Sequence, residues 1–133
     1  MSESDFGRND PRAFAAMSEV AQATILEWIR LAAEPAKTPY RTCYSLPQDF
    51  ADAAFYVTSG QFRGAMLQAG YAPTAESSGS ANWSYLVRPK CPLRCFPDDG
   101  VRRGRFGLWH LRPERRAEFD RLLAAAMEEE FGS

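Results

Sequence analysis

The stretch "FYVTSGQFRGAMLQAGY", Phe55 to Tyr71, carries the strongest local folding signals in this chain. Thr58 followed three residues later by Gln61 is a capping-box pattern, which satisfies the free backbone N–H groups at the start of a helix. Gly70 suits the left-handed position just past a helix end, and Tyr71 can fold back over the last turn. The stretch therefore predicts a short helix between Thr58 and Gly70, preceded by a turn.

The same pattern recurs upstream, where Ser45 stands three residues before Gln48 and predicts a helix that opens at Ser45. Because the second capping signal follows closely after this helix, only a sharp turn fits between the two. They are therefore predicted to form a helix-turn-helix. The face of its second helix that is expected in the core holds Phe62, Ala65, Met66 and Ala69.

A long amphipathic helix is predicted on each side of this centre. The first begins where Asn9 or Asp10 can cap it before Pro11, and it runs to about Ala33, where a proline-rich segment ends it. The last starts near Pro113 and ends in an acidic segment. The apolar stripe of the first helix, which is predicted to lie in the core, consists of Phe14, Met17, Ala21, Ile25, Trp28 and Ala32. The residues of the last helix that are predicted to be buried are Phe119, Leu122, Leu123, Ala126 and Met127.

Two segments have the alternation of a strand. In "NWSYLVRP", residues 82–89, Trp83, Tyr85 and Val87 share one face, and "GRFGLWHL", residues 104–111, alternates in the same way. Together they predict a hairpin packed against the helix pair.

Helices followed by a hairpin are the order of a winged helix, in which the hairpin is the wing. We therefore predict an α+β fold, winged-helix-like, in which a helix-turn-helix and a β-hairpin are flanked by the two amphipathic helices. Residues 1–133 are expected to form a single domain, with a polar tail over residues 1–10 and the winged-helix-like centre over residues 40–89.

The centre also resembles a known family. Its features are an aromatic residue and a threonine before the helix, "GQFRGAML", a glycine followed by an aromatic residue, and "NW" followed by alternating residues. In these it resembles short, mostly uncharacterised proteins of bacteriophages and integrated elements. It is more distantly similar to the winged-helix domain of phage-type primase-helicases. The resemblance implies a phage or mobile-element protein with a winged-helix-like centre.

Charge is unevenly distributed, although the formal net charge is only −1. Nine lysines and arginines lie between Arg88 and Arg116, and the segments at both ends of the chain are acidic. A local basic surface of this kind can bind phosphates. The residues predicted to bind nucleic acid are Ser59, Gln61 and Arg63 on the exposed side of the second helix, with Arg88, Lys90, Arg102, Arg103 and Arg105 on the hairpin and its loop. The alternative is that these side chains are merely solvated or pair with the acidic tail.

Some glycine, cysteine, aromatic and turn residues give weaker indications of function. Gly64 permits either close helix packing or the approach of a groove wall. Cys43, Cys91 and Cys95 are an odd, sparse set that suits a reducing compartment, where buried thiols are favoured over a disulfide or a zinc site completed by His110. Two alternatives stay open for Trp83, Phe96 and Trp109: they are exposed and stack on single-stranded bases, or they lie in the core. Asp98 and Asp99 are interpreted as turn residues.

These patterns predict a small cytoplasmic protein without a catalytic motif, a cofactor or a membrane-spanning segment. Nucleic-acid binding is the first function they favour. The alternative is a protein that binds, and inhibits or modulates, a host defence or replication protein. A homodimer is compatible with either function.

Overall fold

The computed structural model describes residues 10–37, 41–79, 82–89 and 113–131 of the chain. Within them, helices combine with two small antiparallel sheets, which agrees with the predicted α+β class. The elements are α1 (Arg12–Ala15), α2 (Glu19–Ala32), β1 (Ala33–Pro35), β2 (Arg41–Thr42), α3 (Ser45–Ala53), α4 (Ser59–Gln68), β3 (Ser84–Tyr85), β4 (Val87–Pro89) and α5 (Pro113–Phe131).

Two short strand pairs join the segment before α3 to the segment after α4. β1 pairs antiparallel with β4, with Glu34 opposite Arg88, and β2 pairs antiparallel with β3. Cys43 extends the second pair, because its backbone N–H donates to the Trp83 carbonyl at 2.9 Å. The helix-turn-helix is therefore closed at its base by main-chain hydrogen bonds between its two flanking segments.

The alternation predicted for residues 82–89 is confirmed, but its partner is a segment for which no strand was predicted. Tyr85 and Val87 are buried, whereas Leu86 and Arg88 are exposed. Their partners β1 and β2 lie where prolines were expected only to end the first helix. The second predicted strand, residues 104–111, lies outside the described residues, so the hairpin stays a prediction.

The first predicted helix is in fact two helices, so the prediction of one continuous helix was wrong. α1 ends at Ala15, and Ser18 caps α2 by accepting a hydrogen bond from the Ala21 N–H at 3.2 Å. Gln22 closes the break by donating its side-chain amide to the Met17 carbonyl at 2.8 Å. α1 packs on α4.

The apolar stripe predicted across these helices does lie in the core. Its members are buried except for Met17, which packs half-buried against the others. Trp28 is fully buried, and its ring centroid lies 5.6 Å from that of Phe50 and 5.9 Å from that of Phe62, both in edge-to-face geometry. Both helices of the helix-turn-helix therefore pack on the Trp28 ring of α2.

α1 crosses α4 at Gly64, where the two backbones approach closely. A Cβ built at Gly64 would lie 2.3 Å from the Phe14 Cβ and 2.3 Å from the Pro11 carbonyl oxygen. These distances are far below van der Waals contact, so glycine alone fits without a shift of α1. Of the two roles that the sequence left open for Gly64, the structure shows close packing inside the fold.

α5 covers α2 with one face. It begins at Pro113 as predicted and buries Phe119 and Ala126, with Leu123 half-buried against the core. Met127 is exposed, so its predicted burial was wrong. Each residue advances the helix by about 100°, so Met127 turns away from the face on which Ala126 lies.

Candidate functional site

α3 begins at Ser45, where the sequence predicted a helix to open, but the reciprocal pair at its start is Thr42 with Ser45 and not Ser45 with Gln48. Thr42 Oγ1 accepts a hydrogen bond from the Ser45 N–H at 3.2 Å, and Ser45 Oγ accepts one from the Thr42 N–H at 2.9 Å. Ser45 is therefore the first residue of α3, and its predicted role as the cap paired with Gln48 was wrong. The reason is that the β2–β3 pair holds Thr42 within reach of the helix start. Gln48 is left exposed.

α4 starts at the capping box that the sequence predicted. Thr58 Oγ1 accepts from the Gln61 N–H at 3.1 Å, and Gln61 Oε1 accepts from the Thr58 N–H at 2.9 Å. The side-chain oxygen of Gln61 is therefore engaged in starting the helix and is not free to read a base edge. Ser59 follows half-buried as the first residue of α4.

Gly70 ends α4 in the left-handed conformation predicted for it, with a φ of 98°. The Tyr71 N–H donates to the Met66 carbonyl at 2.8 Å and the Gly70 N–H donates to the Leu67 carbonyl at 3.1 Å, the two bonds of a Schellman motif. Tyr71 then packs against the core. Ala69 was expected to be buried and is exposed, since it lies beyond the last residue of α4.

Arg63 was predicted to lie on the exposed side of α4, but only 6% of its surface is exposed. Its guanidinium carbon lies 4.5 Å from the centroid of the Trp83 ring, a cation–π contact. Its Nε–H also donates to Cys43 Sγ at 3.4 Å. The prediction was wrong because Trp83 and Cys43 lie over this face of α4, and helix periodicity does not reveal that packing.

Cys43 lies where three parts of the chain meet. Its sulfur accepts a hydrogen bond from the Trp83 backbone N–H at 3.2 Å as well as from Arg63, and its S–H donates to Asn82 Oδ1 at 3.7 Å. The Cys43 side chain is fully buried, as expected from the sequence. Sulfur is a weak hydrogen-bond acceptor, so these contacts orient the groups more than they stabilise the fold. We call Cys43, Arg63 and Trp83 the Cys43 cluster.

Tyr85 is fully buried close to the Cys43 cluster. Burial raises the pKa of the Tyr85 phenol; Cys43 raises it further, and the Arg63 guanidinium opposes the rise. Within the described residues the Tyr85 hydroxyl has no hydrogen-bond partner. The phenol therefore stays neutral and serves the fold as an aromatic core residue.

The other residues of the predicted nucleic-acid-binding set lie on β4 or beyond it. Arg88 is exposed, and its Nε–H donates to Glu34 Oε2 at 2.5 Å across the β1–β4 pair. An exposed ion pair of this kind contributes only about 0–1 kcal/mol, so Arg88 stays accessible to a partner. Lys90, Arg102, Arg103 and Arg105 lie outside the described residues.

The helix-turn-helix exposes no cation. Arg63 is the only lysine or arginine between Ser45 and Gln68, and it is buried in the Cys43 cluster. Asp49 of α3 is buried as well. Because phosphate contacts come largely from exposed lysine and arginine, α4 is poorly equipped to hold nucleic acid by itself.

A groove of about 460 Å³ opens between the start of α3 and the turn into α4. Two large rings line it, and both are accessible: Tyr44 is 41% exposed and Tyr56 is 69% exposed. None of the lining residues that the structure describes is charged. The lining, which we call the tyrosine groove, consists of Cys43, Tyr44, Pro47, Gln48, Ala51, Tyr56, Val57 and Ser59.

Sequence reasoning missed the tyrosine groove, although a signal for it is present. Tyr44, Gln48 and Ala51 recur at helical spacing on one side of α3, and Leu46 and Phe50 lie on the buried side. The outer side of a short helix normally carries charges. A tyrosine, a glutamine and an alanine at these three positions indicate a surface that differs from a charged, solvated face.

Within the residues that the structure describes, no three metal-ligating side chains come together. Cys91, Cys95 and His110, the partners that a zinc site with Cys43 would need, lie outside those residues. The same holds for Phe96, Asp98, Asp99 and Trp109. The described helices include none with the length and apolar character that crossing a bilayer requires.

No protein-family model, curated protein or solved structure matches the chain. The functional conclusion therefore depends on the Cys43 cluster, the tyrosine groove and the distribution of charge.

Proposed function

We propose that this chain is a small non-catalytic protein whose helix-turn-helix binds a partner protein through the tyrosine groove. The observation that carries the proposal is an exposed, uncharged aromatic groove on a helix pair whose single arginine is buried. Tyrosine combines a large apolar ring with a hydroxyl and is enriched at protein interfaces. Both rings of the groove are exposed enough for a partner to cover them.

The distribution of charge supports a protein partner over nucleic acid at this surface. A nucleic-acid-binding surface gains affinity from each lysine or arginine that neutralises a phosphate. α3 and α4 offer none, since Arg63 is stacked on Trp83. A protein partner imposes no such requirement, because the cores of protein interfaces are depleted of charged residues.

The resemblance to proteins of phages and integrated elements suggests a class of partner. We propose a host defence or replication protein that this chain inhibits or modulates in the cytoplasm. The odd, sparse set of three cysteines suits that reducing compartment.

Affinity capture from a lysate of the source cells, followed by titration with the purified partner, tests the proposal. The wild-type chain is compared with Tyr44→Ser/Tyr56→Ser, which removes both exposed rings and leaves the core intact. Leu86→Ser is the matched control, because Leu86 is exposed but does not line the groove. A partner that binds the wild type and the control, and is lost with the double variant, supports the proposal. Equal binding by all three proteins contradicts it.

Nucleic-acid binding is the second candidate, and the basic segment that begins at Arg88 in β4 favours it. Nine lysines and arginines lie between Arg88 and Arg116. In this alternative α3, α4, β3 and β4 form a winged-helix-like unit, and the basic segment supplies the phosphate contacts. α4 then serves as a scaffold and not as the recognition helix.

Fluorescence anisotropy with duplex and single-stranded oligonucleotides at two salt concentrations separates the two candidates. Salt-sensitive binding that is lost in Arg102→Ala/Arg103→Ala/Arg105→Ala and kept in Tyr44→Ser/Tyr56→Ser supports nucleic-acid binding. Absence of binding at low salt contradicts this candidate and leaves the protein partner.

A further inference from the structure

The second wall of the tyrosine groove is a non-helical stretch that presents Tyr56 outward. Phe55 packs against the core, with its ring centroid 5.1 Å from that of Phe50 in edge-to-face geometry, and Val57 is buried. Alternation of anchored and exposed side chains is typical of an extended backbone. Tyr56 is therefore held outward by two neighbours that are fixed in the core, and the groove is formed before any partner binds.

The lining restricts the chemistry of an occupant. Among the described residues no Asp, Glu, Lys or Arg lines the groove, so a charged segment would lose hydration there without gaining an ion pair from them. Gln48 is exposed in the lining, and Tyr44 carries a hydroxyl at the end of its exposed ring. These groups place hydrogen-bond donors beside aromatic faces. The occupant that complements them is uncharged, apolar along one edge and rich in unpaired carbonyl oxygens.

The size of the groove disfavours a docked α-helix. One helical turn, treated as a cylinder about 10 Å wide and about 5.4 Å high, takes up on the order of 420 Å³. The groove, at about 460 Å³, holds roughly that much. Recognition of a helix normally uses anchors that extend over two turns. An extended segment is narrower and reaches more of the lining.

We propose that the tyrosine groove binds an uncharged, proline-rich segment of the partner in the polyproline II conformation, an inference that rests on the proposed function. Prolyl rings pack flat on tyrosine faces, and the polyproline II backbone makes no internal hydrogen bonds, so its carbonyls accept from the groove. The segment is preformed and the groove is anchored, so little conformational entropy is lost on binding.

Isothermal titration calorimetry of the full chain with a panel of blocked, uncharged peptides that contain Pro-x-x-Pro tests the inference. Each peptide is compared with a counterpart in which alanine replaces every proline. We expect a proline peptide to bind saturably and its alanine counterpart to bind at least about tenfold more weakly. The inference is overturned if no proline peptide binds, or if the alanine peptides bind equally well.

Variants of Tyr56 locate the binding. Tyr56→Ala is expected to weaken peptide binding by about tenfold or more, because the ring is lost, whereas Tyr56→Phe keeps the ring face and is expected to stay within about threefold of the wild type. Leu86→Ala serves as the control outside the groove. Circular dichroism and the Tm show that each variant is folded. Unchanged peptide binding by Tyr56→Ala overturns the inference.

A failure of this inference can be told apart from a failure of the proposed function. If a partner depends on Tyr44 and Tyr56 while every proline peptide is inert, protein docking stands and the proline ligand is wrong. If partner binding is insensitive to both tyrosines, both conclusions are wrong.

Discussion

Replacement of Gly64 by alanine is expected to destabilise the protein, although alanine is the better helix former. In an exposed helix interior the change stabilises by about 1 kcal/mol. At Gly64 the new methyl group would lie 2.3 Å from the Phe14 Cβ and from the Pro11 carbonyl oxygen. One of these atoms belongs to the backbone and the other is bonded directly to it. Neither can move without the backbone, so α1 has to shift away from α4.

The size of the effect follows from this geometry. Overpacking costs about 1–3 kcal/mol, and complete release of α1 would expose the buried Phe14 at a cost of about 1.5–3 kcal/mol. After the gain of about 1 kcal/mol in helix propensity is subtracted, the free energy of unfolding is expected to fall by about 0.5–2 kcal/mol. In a domain of this length the Tm should fall by about 2–10 °C.

Urea unfolding followed by tryptophan fluorescence measures the change in the free energy of unfolding. Gly79→Ala is the matched control, because a Cβ at Gly79 meets nothing within 4 Å and its φ is not positive. The control should be neutral or stabilising by up to about 1 kcal/mol. If Gly64→Ala is as stable as the wild type, α1 does not pack on α4 at this position and the reasoning fails.

Three further substitutions test other parts of the fold. Gly70→Ala should lower the free energy of unfolding by about 1 kcal/mol or more through backbone strain alone, since φ is 98° and the new methyl meets nothing; wild-type stability in urea would contradict this. Arg63→Lys keeps the charge but loses the guanidinium plane over Trp83, so thermal unfolding should show that the free energy of unfolding falls by about 1–2 kcal/mol. The control is Arg121→Lys at an exposed position, where the fall should be about 0.5 kcal/mol or less. Equal effects of the two substitutions would mean that the Cys43 cluster adds no stability. Burial raises the pKa of Tyr85, so above about pH 10 the unfolded chain releases a proton that the folded chain retains, and the free energy of unfolding should fall as pH rises. Tyr85→Phe should reduce that slope, and an unchanged slope would refute the assignment.

Two predictions that depended on contacts within a few residues were confirmed, whereas the third, the Ser45–Gln48 capping box, was wrong because Ser45 pairs with Thr42. The Thr58–Gln61 capping box and the left-handed Gly70 involve groups that are close in the chain, so their energies are encoded locally. The spacing of apolar residues along the helices also identified most of the core, because residues that recur at helical spacing lie on one face of a helix and are buried together. The break between α1 and α2, where Ser18 caps α2, was not predicted. The apolar stripe continues across the break with the same spacing, so two helices give the same sequence pattern as one.

Packing between distant segments explains the rest. Arg63 has the spacing of an exposed helix residue, and it is buried because Trp83 and Cys43 close over it. The pairing of β1 with β4 was beyond sequence reasoning for the same reason, since neither strand specifies its partner. Capping energies arise within one turn of chain, so the sequence was sufficient to predict both ends of α4. Burial of a given face requires a partner surface positioned by the whole chain, so three-dimensional packing alone determines which sides of α3 and α4 are covered and which side forms the tyrosine groove.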